Sequence, residues 1–285
     1  MNKSFNITAL ILLILGVASC VKPIELDLPP YSSKLVVNGE LNTNVTVQLE
    51  VSRSMPILKR VDSSGYILKS ASAKLFENNI FIGDLTYSGA FYTLNYKPLP
   101  GKNYRVEVSN PGLPSVIVNL DIPASLVSSS TYIDSIGLDN EGFPLGQLTV
   151  NFKDNPAANN YYEFLIRYYD ASILQWFPLD IVSNDPVFLN NDKLDNGGYA
   201  FSDATFNGAN KSIKIPIQFG TVNGSPKFEI SIKTIQEDYF KYLEQVRDYQ
   251  NDRGSFDTDP IILRSNVTNG LGMVGGVYNF KDTIQ

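Results

Sequence analysis

Apolar and polar residues alternate with a period of two along much of this chain. Residues 45–51 alternate strictly, with valine or leucine at every second position and threonine, glutamine or glutamate between them. Such alternation is typical of strands with one buried face. Turn residues recur between the strands, first Asn38 and Gly39 and later Asn78 and Asn79, at spacings of about 8–12 residues. Short strands separated in this way indicate a mainly β protein of sandwich-like architecture.

The strand pattern divides the chain into two regions. The first, residues 31–123, closes at a proline, and a serine-rich stretch at 124–130 follows it. The second, residues 131–285, contains further strands rich in aromatic and branched side chains. We therefore predict two tandem β-sandwich-like domains, of immunoglobulin or transthyretin type. The predicted strands of the second domain are 147–152, 161–169, 211–219 and 227–235.

One segment of the second domain has helical instead of strand periodicity. Tyr239, Leu243 and Val246 recur at the spacing of one helix face. Thr234 and Glu237 have the spacing of a capping box, which marks a helix start. We predict one amphipathic helix near 236–250, lying on a sheet.

The N-terminal residues have the features of a bacterial lipoprotein leader. A lysine near the start precedes a short apolar run at 9–17, then small residues, then Cys20, the only cysteine of the chain. The apolar run is too short to span a bilayer, which takes about 20 residues. We predict a signal peptide at 1–19, lipidation of Cys20, and an extended proline-bearing tether at 20–30. The alternative is an ordinary secretory signal followed by a buried cysteine.

Composition excludes several kinds of chemistry. The 285 residues include no histidine, so a Ser-His-Asp triad, a Cys-His dyad and a histidine zinc site are ruled out. The net charge is −6, and the Lys and Arg residues are not clustered along the sequence. Both observations argue against nucleic-acid binding. Carboxylate pairs, a Ser-Lys pair and an oxygen-lined calcium site remain open.

Aromatic residues are concentrated in one part of the second domain, and they include the only tryptophan. They provide a candidate platform for a glycan, a peptide or a docking partner, with Trp176 and Phe177 as the preferred contacts. The alternative is that these side chains pack in the core and at a sheet edge, since half of any strand faces inward. The cluster comprises Tyr161, Tyr162, Tyr168, Tyr169, Trp176 and Phe177.

Three loop segments are candidates for other roles. Residues 184–196 and 251–259 are rich in Asp and Asn, which provide oxygen ligands for calcium but are also ordinary turn residues. The glycine-rich run 269–276 lacks the Lys-Ser/Thr of a phosphate-binding loop. We expect Gly270 and Gly272 to serve folding through backbone angles that a Cβ would strain.

Together these landmarks resemble the outer-membrane lipoprotein family of Bacteroidota catalogued as domain of unknown function 4249. The resemblance implies a lipid-anchored envelope protein encoded near TonB-dependent receptors, with no established catalytic residues. Membership would place this chain at the outer membrane, with the cell-surface and periplasmic faces both open. The matching segments are KLVVNGEL at 34–41, VSRS at 51–54, ASAKLFENN at 71–79, PGKNYRVEV at 100–108, DYFKYLEQV at 238–246 and SNVTNGLGMVGG at 265–276.

The function that we expect is a non-catalytic accessory protein that needs no cofactor and binds a TonB-dependent receptor or its ligand during uptake. One alternative is a glycan hydrolase that uses only Asp and Glu, for which two carboxyl groups about 5–10 Å apart in one cleft would be evidence. A second alternative is a purely structural or adhesive envelope module. An exposed apolar patch larger than the few hundred Å² usual for monomers would favour docking.

Overall fold

A computed structural model describes residues 31–56, 65–126, 129–156, 159–189, 191–218, 227–251 and 262–284. Within these ranges the chain forms sixteen strands and two helices, so the prediction of a mainly β, sandwich-like fold is confirmed. The strands are β1 Leu35–Asn42, β2 Val47–Arg53, β3 Ser72–Glu77, β4 Ile80–Ser88, β5 Phe91–Leu94, β6 Asn103–Asn110, β7 Leu113–Asp121, β8 Ser129–Leu138, β9 Pro144–Lys153, β10 Tyr161–Asp170, β11 Gln175–Pro178, β12 Tyr199–Ser202, β13 Asn210–Gln218, β14 Phe228–Ile235, β15 Val267–Thr268 and β16 Val274–Ile284. The helices are α1 Pro186–Leu189 and α2 Glu237–Asn251.

Most strands belong to one hydrogen-bonded path. Its order is β11-β10-β14-β16-β1-β2-β5-β4-β3-β6-β7-β15, and β12 also pairs with β10. The remaining strands form a smaller sheet in the order β13-β9-β8. Strand β4 pairs with β5 near its end and with β3 along its earlier residues, and this carries the path from one layer of the first sandwich to the other.

The first core lies between these two layers. Alternate residues of β2, at 47, 49 and 51, are fully buried, as their period of two predicts. They pack with apolar residues of β1, β3, β6 and β7 in one cluster. Val267 and Val274, from the C-terminal part of the chain, belong to the same cluster.

The second core lies between the three-stranded sheet and strands β10 and β14. Leu148 and Val150 of β9 and Ile213 of β13 pack against Phe164 of β10 and Ile232 of β14, and all five are fully buried. The four predicted strands of this region are present as β9, β10, β13 and β14, within three residues of their expected bounds.

The last strand connects the two cores. Strand β16 pairs antiparallel with β14 and parallel with β1, where Gly39 lies opposite Val274. Residues 33–285 accordingly form one compact unit. This arrangement differs from the predicted ranges in that residues 267–277 complete the first sandwich, because pairing between distant strands leaves no mark in a local pattern. The division at 124–130, of which 127 and 128 lie outside the described residues, stays a prediction.

Two predicted turns have opposite outcomes. Asn78 and Asn79 adopt positive φ angles of 48° and 67° between β3 and β4, which confirms that turn. Asn38 and Gly39, in contrast, lie inside β1, so the predicted hairpin is wrong there. Gly39 donates to the Met273 carbonyl at 3.0 Å, and the Asn38 side chain accepts from the Met273 amide at 3.1 Å. Asn38 and Gly39 therefore bind the C-terminal segment at Met273 and do not form a turn.

Helix α2 occupies the region where a helix is predicted, but its start differs from the prediction. Strand β14 continues through Ile235, and the Phe240 amide donates to the Gln236 carbonyl at 2.9 Å, which puts Gln236 at the N-cap. The predicted capping box is therefore wrong. Tyr239 and Phe240 are buried, and most other side chains of the helix are half-buried, without a clear division into two faces.

Candidate functional site

The hairpin formed by β10 and β11 carries the predicted docking residues at the end of the larger sheet. Trp176 pairs with Tyr169, and Phe177 pairs with Tyr168, with ring centroids 5.2 and 5.8 Å apart. Successive strand residues face opposite sides of a sheet. Because Tyr168 packs on the second core, Phe177 lies on the core side and Trp176 on the outer side. The two predicted contacts therefore do not form one surface.

Two aliphatic residues at the tip of this hairpin are more exposed than Trp176. Ile173 is 53% exposed and Leu174 is 73% exposed. Leu174 also has a positive φ of 56°, an uncommon conformation for a residue with a branched side chain. The Lys227 ammonium lies 5.9 Å from the rings of both Tyr169 and Trp176. Sequence reasoning missed the tip, since apolar residues in a turn carry no periodic signal.

A buried ionic cluster lies between helix α2 and the sheet. The Lys233 ammonium is 3.0 Å from Glu163 Oε2 and 3.4 Å from Glu40 Oε1. Asn196 donates to the other oxygen of Glu163 at 2.7 Å, and the Tyr239 hydroxyl donates to Glu40 at 2.6 Å. These residues come from β1, β10, β14, the segment before β12, and α2, so the cluster joins distant parts of the chain.

The electrostatics of the cluster show a structural charge network. Burial alone would lower the pKa of Lys233, but the attraction of Glu163 and Glu40 outweighs it and the pKa is raised. Burial would raise the pKa of Glu40, but Lys233, Tyr239 and Asn42 together hold it below its usual value. Burial and the two carboxylates raise the pKa of Tyr239 well above its usual value. A glycosidase acid needs a raised carboxyl pKa, so Glu40 does not fit that role.

A cleft of about 500 Å³ opens beside the start of α2. Its walls come from the segment 121–126, the connection between β9 and β10, and the junction of β14 with α2. Carboxylates, amides, hydroxyls and one ammonium line it together with Tyr161 and Leu126. Thr234 lies in the wall, and its buried Oγ1 has no hydrogen-bond partner in the described part of the chain.

Buried carboxylates hold the connection that forms one wall of this cleft. Asp154 is fully buried and accepts from the Tyr162 hydroxyl and, at 2.6 Å, from the Gly208 amide. Asp203 accepts from the Asn160 backbone amide at 2.8 Å. On the opposite side Gln236 donates to Asp121 at 2.9 Å. These hydrogen bonds hold the described ends of that connection and the start of α2 in place.

The glycine-rich segment at 269–276 runs along β1 and has a structural role. The Leu271 amide donates to the Leu35 carbonyl, and Val37 donates to the Leu271 carbonyl, both at 2.9 Å. Gly272 has φ +110°, and a Cβ there would stand 2.2 Å from the Val37 carbonyl oxygen. Gly270 has no such angle, but its Cβ would stand 2.7 Å from the Leu35 carbonyl oxygen. Glycine is therefore required at both positions because the backbone of β1 lies too close for a side chain, and at Gly272 also because of its φ angle.

The predicted calcium loops gain no support from the described residues. In the first loop, Asp185 binds the Lys211 ammonium at 2.7 and 2.8 Å and also accepts from the Val187 amide. No group of three or more carboxylates able to hold a metal occurs among the described residues. Most of the second loop, residues 252–259, lies outside the described residues, as do Cys20 and the tether. In the part of the chain that is described, no helix is long and apolar enough to span a bilayer.

Comparisons with known proteins bear on the family alone. A search of the curated proteins finds no match. Among solved structures, a β-glucuronidase from glycoside hydrolase family 2 is similar at 13% identity with a TM-score of 0.22, over 85% of this chain and 22% of that chain. The chain spans about a fifth of that enzyme's length, and the likeness carries no functional argument. The model of the family described as domain of unknown function (DUF4249) matches residues 21–283. This match extends over nearly the whole chain, which therefore belongs to the family of domain of unknown function 4249.

Proposed function

We propose that this protein is a lipid-anchored accessory protein of the outer membrane, which docks on a TonB-dependent receptor and assists uptake without catalysing a reaction. The anchor would be Cys20, which follows the short apolar run of a lipoprotein leader. The absence of histidine from the whole sequence and the pairing of both Glu40 and Glu163 with Lys233 argue against acid–base catalysis there.

The observation that carries the docking proposal is the exposed tip of the β10–β11 hairpin. Ile173 and Leu174 project there beside Trp176, at the edge of the larger sheet. Strand β11 is four residues long, and its outer edge is open in the described sheet, so a partner strand or loop has access to it. Aromatic residues such as Trp176 dominate the binding energy of stable interfaces.

Replacing the apolar tip tests this role directly. The variant Ile173→Asn with Leu174→Asn removes both exposed side chains, and asparagine tolerates the positive φ of residue 174. Native protein and variant are solubilised in mild detergent, and the outer-membrane proteins that co-purify are identified. We expect the receptor to co-purify with the native protein and to be reduced at least tenfold with the variant. The matched control is Ile80→Asn, which removes an apolar side chain that is 69% exposed on another hairpin.

Two results would contradict the proposal. Equal recovery of the receptor with the tip variant and with Ile80→Asn would exclude docking through this hairpin. Hydrolysis of a glycan by the purified protein, lost on changing one Asp or Glu, would show an enzyme instead.

The anchor is tested separately by adding Cys20→Ala to the tip variant, so that docking on the receptor does not retain the protein, followed by cell fractionation. We expect this triple variant to leave the membrane fraction, because residue 20 no longer has a thiol to be lipidated. Full retention of the triple variant in the membrane would exclude Cys20 as the anchor.

A further inference from the structure

We propose that the cleft beside the N-terminus of α2 is a binding site for a neutral saccharide. This site differs in position and chemistry from the docking hairpin, and it does not depend on the proposed docking. Three observations carry the proposal: a buried hydroxyl without a partner in the described part of the chain, a helix start whose N-cap side chain is engaged elsewhere, and a balance of charge that disfavours ions.

The first observation is the hydroxyl of Thr234. This residue is 4% exposed, lines the cleft, and its Oγ1 has no partner among the described residues. Buried polar groups in folded proteins nearly always have a hydrogen-bond partner, and an exception calls for an explanation. Its neighbours on the same face of β14, Ile232 and Ile230, are ordinary core residues. A ligand hydroxyl at the bottom of the cleft would supply the missing partner after a small rotation of the Thr234 side chain, because Oγ1 itself is covered.

The second observation concerns the first turn of α2. The first amides of any helix have no acceptor within the helix and rely on a capping side chain. The N-cap residue here is Gln236, but its side-chain oxygen accepts from the Gly276 amide at 2.9 Å instead. Thr234 does not cap the helix either. Neither side chain caps the first turn of α2, whose residues Glu237 and Asp238 line the cleft.

The third observation is the charge of the cleft. Glu237 pairs with Lys241, Asp238 pairs with Arg264 at 2.6 Å, and Asp121 accepts from Gln236. Carboxylates in the first turn already complement the positive end of the helix dipole and repel an incoming anion. Glu237 and Asp238 are already paired with cationic side chains, and Lys153 of the same wall repels a cation. A neutral ligand is the class that this arrangement accepts.

A saccharide fits the remaining groups because each of its hydroxyls both donates and accepts. Asn159 offers an amide with two donors and an acceptor, Lys153 is a donor, and the Tyr161 ring and Leu126 offer apolar surface. The volume of about 500 Å³ lies within the range of about 300–1,000 Å³ that is usual for small-molecule sites.

The test measures binding of defined sugars to the full chain in detergent. Glucose, galactose, N-acetylglucosamine, maltose, lactose and cellobiose are titrated by calorimetry, alongside glucuronate, inorganic phosphate and a pool of tryptic peptides. We expect saturable binding of at least one neutral sugar and no binding of phosphate. Binding of phosphate, glucuronate or peptide without any neutral sugar would overturn the proposal, and so would no binding at all.

Two variants locate the binding. Thr234→Val keeps the side-chain shape and removes only the hydroxyl, so it should weaken sugar binding about three- to tenfold, the value of one hydrogen bond, without lowering the melting temperature. Ala124→Trp should fill the cleft and abolish binding, whereas Ala90→Trp, at an exposed turn outside it, should not. Equal affinity of Thr234→Val, Ala124→Trp and native protein would place the sugar elsewhere and refute the site.

Discussion

The ring of Tyr239 lies so close over Gly275 that a Cβ at residue 275 would stand 2.7 Å from two of its ring carbons. Gly275 pairs with Glu40 across β1 and β16, and the hydroxyl of Tyr239 donates to that same Glu40 at 2.6 Å. One aromatic side chain thus fixes helix α2 over the junction of the first and last strands. The lack of a side chain at residue 275 is what allows this approach.

Gly275→Ala should lower the free energy of unfolding by about 1–3 kcal/mol, because the new methyl group overlaps the ring. Urea unfolding measures the change. The penalty should persist with Tyr239→Phe, which keeps the ring, and should largely disappear with Tyr239→Ala, which removes it. A penalty of the same size in all three backgrounds would show that the ring is not its cause.

From the ionic cluster of Glu40, Glu163 and Lys233 we expect the folded protein to lose stability at both low and high pH. The pKa of Glu40 is lowered from 4.5, so its contribution is fully present above about pH 4.5 and is lost as the pH falls through the folded value. The pKa of Lys233 is raised from 10.5, so its contribution is fully present below that pH and is lost as the pH rises through the folded value. The raised pKa of Tyr239 acts in the same direction as that of Lys233.

The predicted loss of stability at low pH is tested by measuring urea unfolding of native protein and of Glu40→Gln from pH 3 to 11. Glu40→Gln should be less stable than native protein at pH 7, and the difference should shrink as the pH falls below about 4.5 towards the lowered folded pKa of Glu40. A difference that stays constant across this range would contradict the assigned role of Glu40.

Gly272→Ala should destabilise the fold more than an alanine at a glycine with the same sign of φ but free space around it. Backbone strain alone costs about 1–3 kcal/mol. At residue 272 the contact with the Val37 carbonyl oxygen at 2.2 Å adds to this cost. Gly112, with φ +82° and nothing within 4 Å, is the matched control. Similar melting temperatures for Gly272→Ala and Gly112→Ala would show that the approach to β1 is unimportant.

Cleavage at the predicted linker should leave the two fragments associated. A specific protease site inserted between residues 127 and 128 would be cut, and the products examined by size-exclusion chromatography without denaturant. We expect co-elution, because β16 of the second fragment pairs with β1 of the first and Val267 and Val274 complete the first core. Fragments that separate and keep their structure would support two independent domains instead.

The sequence by itself determined those elements whose signal is local. Alternation at residues 45–51 identified the buried positions of β2, helical spacing located α2, and Asn78 with Asn79 marked a true turn. These signals are local because burial of one face imposes its period directly on the side chains of a single element. The strand begins two residues later than the alternation indicates, at Val47, because Val45 lies in the preceding turn.

Contacts between segments that are far apart in the sequence were decided by the tertiary structure alone. Asn38 and Gly39 form a strong turn signal, yet they lie within β1 because Met273 supplies hydrogen-bond partners from the other end of the chain. Glu40 and Lys233 are 193 positions apart in the chain and meet only because β16 brings β14 beside β1. The spacing of Thr234 and Glu237 predicted a helix cap, but Thr234 lies in β14, which continues to Ile235, and it lines the cleft instead. Strand pairing is chosen by the total burial of the fold, and no window of neighbouring residues contains that information.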